Sequence, residues 1–124
     1  MTQRILIADD EPNILISLEY LMKREGYEVS LARDGDEALA AIAQHRPALV
    51  VLDVMMPKKS GLEVCQALRA DEALKDTLVL MLTAKGRETD IAKGLGSGAD
   101  AYMTKPFSTR ALVRKVREML EARA

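Results

Sequence analysis

The sequence predicts an α/β fold in which a five-stranded parallel sheet is doubly wound, with helices on both faces. Five short apolar runs alternate along the chain with longer amphipathic runs, and three of the five are apolar at almost every position. Strands that are apolar on both faces belong in a parallel sheet covered on both sides. Right-handed crossovers between successive strands then place the intervening helices on the two faces of an open sheet.

The five predicted strands are short and rich in leucine and β-branched residues. They are RILIA (4–8), YEVSLA (27–32), ALVVLD (48–53), LVLML (78–82) and AYM (101–103). The connections are short, and the 124 residues contain no linker, internal repeat or low-complexity tract. A chain of this length has a common size for one domain, so residues 1–124 are predicted to form a single domain.

Five helices are predicted from apolar residues that recur at helical spacing. Four of the stripes are Ile14, Leu15, Leu18, Leu21 and Met22; Ala38, Leu39, Ile42 and Ala43; Val64, Cys65 and Leu68; and Leu112, Val116, Met119 and Leu120. The helix over about 87–97 is the weakest, because Gly94 and Gly96 each cost ~1 kcal/mol relative to alanine. The helix-start signals are Pro12 at a first helical position, the capping-box pairs Asp34–Glu37 and Ser60–Glu63, and Ser108 as an N-cap.

Composition excludes several classes of function. The 18 basic and 19 acidic residues nearly balance, so neither nucleic acid nor an anionic membrane is an expected partner, and three Tyr and one Phe do not make a base-stacking platform. No apolar run approaches the ~20 residues of a membrane span, and the N-terminus does not resemble a signal peptide. The single cysteine, Cys65, cannot form an internal disulfide, which fits a reducing compartment, and a cytoplasmic location is expected.

Polar residues that follow the predicted strands form a short set. Asp9 and Asp10 follow the first strand, Asp53 ends the third, Thr83 follows the fourth and Lys105 follows the fifth. Each has a plain structural explanation when taken alone: a helix cap, a turn residue, or a solvated lysine. The carboxyl ends of parallel strands share one edge, where such sheets bind ligands, so the five residues together favour a site.

Three clustered carboxylates must either shift their pKa values or hold a cation. Mg²⁺ suits the predicted cluster because it prefers oxygen ligands, keeps several waters and is often shared with a phosphate. The sequence has no Cys/His cluster for zinc. Its only histidine, His45, lies near the end of the second predicted helix. An imidazolium there would interact favourably with the helix dipole, so His45 is interpreted as structural.

These residues, with the strings LIADDEP, LDVMMPKKSGLEV, LTA and GADAYMTKPF, resemble the receiver domain of bacterial two-component response regulators. The resemblance covers essentially the whole chain. It implies a flavodoxin-like sheet of order 2-1-3-4-5 with five helices, similar to chemotaxis regulators. It also implies that the chain accepts a phosphoryl group from a sensor histidine kinase or a phosphotransfer protein.

The resemblance assigns roles by matching position. Asp53 would be the phosphoryl acceptor, and Asp10 and Asp53 would ligate Mg²⁺ directly, together with the backbone carbonyl of Met55. Asp9 would assist, largely through water. The neighbouring Glu11 is expected to serve the first helix as a cap or dipole partner. An apolar Met55 also implies a moderately long-lived phosphoryl group, since that position controls the approach of water in the family.

The remaining roles concern the response to phosphorylation. Lys105 would pair with a phosphoryl oxygen, and the peptide bond to Pro106 is cis in the family. Thr83 would be the switch hydroxyl, and Tyr102 the aromatic residue that follows it. The surface formed by the fourth helix, fifth strand and fifth helix would then change and be presented to a downstream protein.

Three other functions agree less well with the sequence. GLGSGA (94–99) matches a dinucleotide fingerprint, but it ends a predicted helix instead of opening one after a strand. An aspartyl-phosphate phosphatase usually carries a second acid two residues after its nucleophile, where this chain has Met55, so no turnover of an external substrate is expected. A pseudo-receiver typically lacks an acidic ligand or the acceptor, and none is missing here.

The last alternative is a receiver fragment of a longer DNA-binding response regulator. Arg110, Arg114 and Arg117 lie on one helical stripe, but Glu118 and Glu121 interrupt it, which favours a solvated face. Receivers of that subgroup dimerise through charge pairs, and several of the matching positions are uncharged here: Ile91, Gly96, Ala101 and Ala111. Asp100, Lys115 and Arg117 remain. A phosphorylated monomer that presents a more apolar face around Ile91, Leu95 and Ala101 is therefore expected.

Overall fold

The computed structural model describes residues 3–84 and 98–123, and all five predicted strands lie within that part. They are β1 (Arg4–Ala8), β2 (Glu28–Ala32), β3 (Leu49–Asp53), β4 (Leu78–Ala84) and β5 (Ala101–Lys105). The strands form one parallel sheet in the order β2-β1-β3-β4-β5. The predicted five-stranded parallel sheet and its strand order are confirmed.

Four helices are present in the described part of the chain. They are α1 (Pro12–Arg24), α2 (Gly35–His45), α3 (Gly61–Ala70) and the C-terminal helix (Thr109–Arg123). The predicted helix over 87–97, with Ile91, Leu95 and Gly96, falls outside the described residues. None of the helices described is long and apolar enough to span a membrane.

The sheet separates two apolar layers, as expected for a doubly wound fold. On one face, Ile7, Val51 and Leu82 pack with Leu18 of α1 and Val116 of the C-terminal helix. The opposite layer buries Leu52, Met81, Ile42 of α2, and Val64 and Cys65 of α3. Successive side chains of a strand alternate between the two layers, which explains why β3 and β4 are apolar almost throughout.

Burial decreases from the centre of the sheet to one edge. All five residues of the central strand β3, Leu49–Asp53, are buried. None of the five residues of the edge strand β5, Ala101–Lys105, is fully buried. The polar residues Thr104 and Lys105 extend β5 beyond its predicted end because they pair with Thr83 and Ala84 of β4.

The helix starts largely follow the predicted signals. Pro12 is at the start of α1, and the Ser60–Glu63 capping box is complete, each side chain accepting a backbone N–H at 3.2 Å. Asp34 caps α2 by accepting the Glu37 N–H at 2.8 Å, but the Glu37 carboxylate accepts from Arg33 rather than from Asp34. The predicted Asp34–Glu37 capping box is therefore only half formed.

Candidate functional site

Asp9 is fully buried at the end of β1. Its backbone N–H donates to the Ala32 carbonyl of β2 at 3.1 Å, which continues the parallel ladder by one residue. Asp9 Oδ1 accepts the backbone N–H of Glu11 at 2.9 Å, an Asx-type turn that leads the chain out of the strand. Asp9 Oδ2 lies 2.9 Å from the Lys105 ammonium, in an ion pair rather than a well-aligned hydrogen bond.

Asp53 is the last residue of β3 and is 5% exposed. Burial and the nearby Asp9 carboxylate raise the pKa of Asp53 to about 6, although Lys105 and the Met55 backbone N–H act in the opposite direction. The Met55 N–H donates to Asp53 Oδ1 at 3.3 Å, and Asp53 Oδ2 faces the Lys105 ammonium at 3.4 Å. A raised carboxylate pKa beside a charged partner in a strand-end cluster is typical of a functional site.

Lys105 ends β5 and reaches across the carboxyl edge of the sheet to three carboxylates. Its Nζ lies 2.9 Å from Asp9, 3.3 Å from Glu11 and 3.4 Å from Asp53. Burial alone would lower the pKa of Lys105, but these carboxylates outweigh burial and raise it. The lysine is therefore a fixed positive charge in this site. Its peptide bond to Pro106 is cis, as the resemblance implies.

Of the two roles expected for Glu11, the side-chain cap is not formed. Glu11 occupies the N-cap position of α1 but makes no side-chain capping hydrogen bond. Its carboxylate instead pairs with Lys105, a residue 94 positions away along the chain. The acidic character of Glu11 was visible in the sequence, but this pairing depends on the placement of two flexible side chains from separate elements.

Thr83 brings a hydroxyl to the same edge from β4. The residue is 1% exposed, and no hydrogen-bond partner for Thr83 Oγ1 is present in the described part of the structure. A buried hydroxyl without a partner costs about 1–3 kcal/mol, so the position favours a ligand that accepts its hydrogen bond. Thr83 pairs in register with Thr104, which places Thr83 and Tyr102 on the same face of the sheet.

Glycine allows α3 to approach the end of β3 closely. A Cβ at Gly61 would lie 2.4 Å from the Asp53 carbonyl oxygen, which excludes any larger residue without displacement of the backbone. The Gly61 N–H also donates to the Val54 carbonyl at 3.0 Å. Together these contacts hold the β3–α3 loop against Asp53, with Met55 53% exposed beside it.

The three carboxylates predicted to hold a cation do converge. Oxygen atoms of Asp9, Asp10 and Asp53 lie within 4.8 Å of one another, with Asp10 exposed and the other two buried. An all-oxygen set with one open, solvent-facing member suits Mg²⁺, which retains several waters. The residues present therefore fit the metal predicted from sequence.

Sequence comparison places the chain in a family. Residues 5–117 match the family model of the response regulator receiver domain. The chain is 48% identical over 120 residues to the alkaline phosphatase synthesis transcriptional regulatory protein PhoP of Bacillus subtilis, covering 97% of this chain and 49% of that protein. It is 43% identical over 120 residues to the DNA-binding response regulator MtrA of Mycolicibacterium smegmatis, covering 97% and 51%. The chain thus spans about half the length of these curated relatives.

Structural comparison agrees with the sequence match. A putative response regulator from Chloroflexus aurantiacus superposes with a TM-score of 0.91 at 34% identity, over 98% of this chain and 99% of that one. The similarity therefore extends over nearly the whole of both chains. The chain belongs to the response regulator receiver domain family of two-component signal transduction.

Proposed function

We propose that Asp53 is the residue that accepts the phosphoryl group in this receiver domain. The observation that supports this most strongly is the position of the Lys105 ammonium, which lies 3.4 Å from Asp53 and 2.9 Å from Asp9. Both carboxylates are buried at the carboxyl ends of their strands. Phosphoryl transfer depends mainly on positioning and on stabilising negative charge. A fixed cation beside a buried carboxylate supplies both, and Thr83 adds a hydroxyl on the adjacent strand.

In the proposed step, a carboxylate oxygen of Asp53 forms a bond to phosphorus while the bond from phosphorus to the donor breaks. The electron pair of that bond leaves with the donor, which is a phosphohistidine of a sensor kinase or of a phosphotransfer protein. Lys105 balances charge on the phosphoryl oxygens, and the Thr83 hydroxyl donates a hydrogen bond to one of them. The donor ring carries a proton on its other nitrogen, so it leaves as a neutral histidine, and the product on this chain is an aspartyl phosphate.

Asp9, Asp10 and Asp53, with the backbone carbonyl of Met55, would hold Mg²⁺. When bound, the ion supplies positive charge that offsets the repulsion between the Asp53 carboxylate and an anionic phosphoryl group. The Glu11 N–H donates a hydrogen bond to the Asp9 carboxylate, and the Met55 N–H donates one to the Asp53 carboxylate. These two backbone contacts position the carboxylates in the protein itself.

The proposed response begins at Thr83. A hydrogen bond from its hydroxyl to the phosphoryl group would draw the side chain inward and free space on the same face of the sheet, where Tyr102 is 45% exposed. Tyr102 then turns inward, and the surface formed by the predicted fourth helix, β5 and the C-terminal helix changes. A downstream protein would bind that surface in the cytoplasm, without membrane or direct DNA contact by this domain. No turnover of external phosphomonoesters is expected.

Acetyl phosphate with Mg²⁺ tests the proposal. Intact-mass spectrometry should show one added phosphoryl group on the wild-type chain and none on Asp53→Asn. Asp76→Asn is the matched control, because Asp76 is an exposed aspartate that precedes β4, at the amino-terminal ends of the strands and away from the acidic cluster. Full and persistent labelling of Asp53→Asn would show that another residue is the acceptor.

A second candidate is that residues 1–124 form the receiver part of a longer DNA-binding response regulator. It is favoured by the coverage of the relatives, since PhoP and MtrA are about twice as long as this chain. The open reading frame decides between the two. A stop codon after Ala124 supports a single receiver domain, and a continuation that encodes a DNA-binding domain supports the longer regulator.

A further inference from the structure

A groove with a strongly positive rim lies between α1 and the C-terminal helix, away from the carboxylate cluster. It has a volume of about 400 Å³, and its charged lining consists of four arginines and one glutamate. The groove therefore carries a net charge of +3 on a chain whose formal net charge is −1. The concentration of arginine is a local feature and does not reflect the overall composition.

The arginines come from both helices. Arg110, Arg114 and Arg117 are spaced four and three residues apart, so they form one row along the C-terminal helix, and Arg24 faces them from the end of α1. Arg117 pairs with Glu25, which neutralises the acidic residue of the lining. Within residues 3–84 and 98–123, Arg110 and Arg114 have no ion-pair partner.

The floor of the groove is apolar. Leu21 is partly buried and Val113 is 9% exposed, and these two apolar residues line the groove together with the arginines. An apolar floor with a cationic rim matches the surface of an amphipathic acidic helix, whose apolar side chains would cover Leu21 and Val113. Its carboxylates would then meet guanidinium groups, which bind carboxylates in a bidentate geometry.

We propose that this groove, defined by Leu21, Arg24, Arg110, Val113, Arg114 and Arg117, binds an acidic amphipathic helix of a partner protein. The arginines complement the carboxylates of such a helix, and Leu21 and Val113 offer apolar contacts to its other face. A DNA duplex presents phosphates but has no apolar side chain to cover Leu21 and Val113. The groove uses none of the residues proposed to bind metal or phosphate, so binding goes beyond the proposed phosphoryl transfer and does not require it.

The test uses two synthetic helical peptides of about four turns. One carries leucine along one face and glutamate on both flanks, and its twin carries glutamine in place of each glutamate. We expect the acidic peptide to bind the unphosphorylated chain, to shift the NMR amide signals of Leu21 and Val113, and to weaken as salt screens the charges. The glutamine twin should bind at least roughly tenfold more weakly.

Two double variants locate the interaction on the protein. Arg110→Gln with Arg114→Gln should lower the affinity for the acidic peptide by roughly tenfold or more. Arg33→Gln with Arg46→Gln removes the same charge from exposed positions outside the groove and should leave the affinity unchanged. Thermal melting establishes that both variants are folded, and the comparison of the two peptides needs no variant at all.

Three results would overturn the proposal: equal binding of the glutamine twin, an equal loss of affinity in the control variant, or shifts confined to residues outside the groove. A short DNA duplex is titrated in parallel. Tighter binding of the duplex than of the acidic peptide, with shifts at Leu21 and Val113, would assign the groove to nucleic acid. All titrations omit Mg²⁺ and phosphodonor, so their outcome is separate from that of the Asp53 experiment.

Discussion

The Arg69 guanidinium lies 2.8 Å from the Asp100 carboxylate and joins the end of α3 to the segment that leads into β5. The same guanidinium donates to the backbone carbonyls of Lys75, Thr77 and Gly98 at 2.6–2.8 Å. The carboxylate in turn accepts the Val79 N–H at 2.8 Å. One arginine therefore satisfies three carbonyl groups and one acid near the start of β4.

Replacement of Arg69 should destabilise the fold. Arg69→Met keeps the aliphatic stem but leaves three carbonyls without their donor and Asp100 without its ion-pair partner, so we expect a loss of about 2 kcal/mol in the free energy of unfolding. Denaturant titration measures it, and Arg33→Met, at an exposed position, is the control. A double-mutant cycle with Asp100→Asn isolates the ion pair. A loss no larger than that of the control would contradict the role given to the network.

These contacts also bear on association between copies of the chain. Asp100 and Arg117 were expected to remain available on the dimerisation face, but Asp100 pairs with Arg69 and Arg117 pairs with Glu25 within one chain. We therefore expect a monomer at micromolar concentration after activation with beryllofluoride, measured by sedimentation. A salt-sensitive dimer that Asp100→Ala weakens would instead support the dimeric DNA-binding subgroup.

The pH dependence of stability should reveal Asp53. Its pKa is about 6 in the folded protein against 3.8 ordinarily, so the native state binds the proton more tightly and stability falls as pH rises through this window. Asp53→Asn abolishes the titration. Its advantage over wild type should be absent near pH 4 and on the order of 2 kcal/mol near pH 7 without Mg²⁺. Asp76→Asn should show no such trend, and a pH-independent difference for Asp53→Asn would contradict the buried-carboxylate account.

Asp10 is the exposed member of the acidic cluster, so its removal should affect the metal more than the fold. We expect Asp10→Ala to lower Mg²⁺ affinity by roughly tenfold or more, because the variant lacks an oxygen ligand that we propose binds the ion directly. Stability without metal should be unchanged or slightly higher, because one of three repelling carboxylates is removed. Calorimetric Mg²⁺ titration measures the affinity, with Asp36→Ala as the control. A wild-type Mg²⁺ affinity of Asp10→Ala would place the metal elsewhere, and its normal phosphorylation in the presence of a chelator would show that the metal is not required.

Met55 should influence the lifetime of the aspartyl phosphate. Its side chain is 53% exposed two residues after the proposed acceptor, where we expect it to hinder an aligned water. Met55→Asn offers a polar group that orients water, so hydrolysis should accelerate several-fold, which is less than the roughly hundredfold effect of a true general base. Loss of the added mass with time gives the rate, and Met55→Leu should keep the wild-type value. If the aspartyl phosphate of Met55→Asn hydrolyses at the wild-type rate, Met55 does not control its lifetime.

The sequence predicted the sheet well because each strand signal is local. The run Arg4–Ala8 matches its observed strand, and because parallel strands share one carboxyl end of the sheet, the sequence predicted that Asp9, Asp53 and Lys105 lie together. The pairs Glu11–Lys105 and Arg69–Asp100 could not be predicted in the same way. Each joins residues far apart in the chain through long or exposed side chains, and no local pattern selects such a partner among many charged residues.

The decrease in burial from β3 to β5 has a consequence for motion. Opening of the central strand requires global unfolding, whereas an edge strand with no fully buried residue opens with a smaller free energy. Amide hydrogens of Val50–Leu52 should therefore exchange with solvent far more slowly than those of Ala101–Met103. The proposed acceptor is then anchored in the slowest-exchanging part of the sheet, while Tyr102 lies in a strand that can rearrange without loss of the fold.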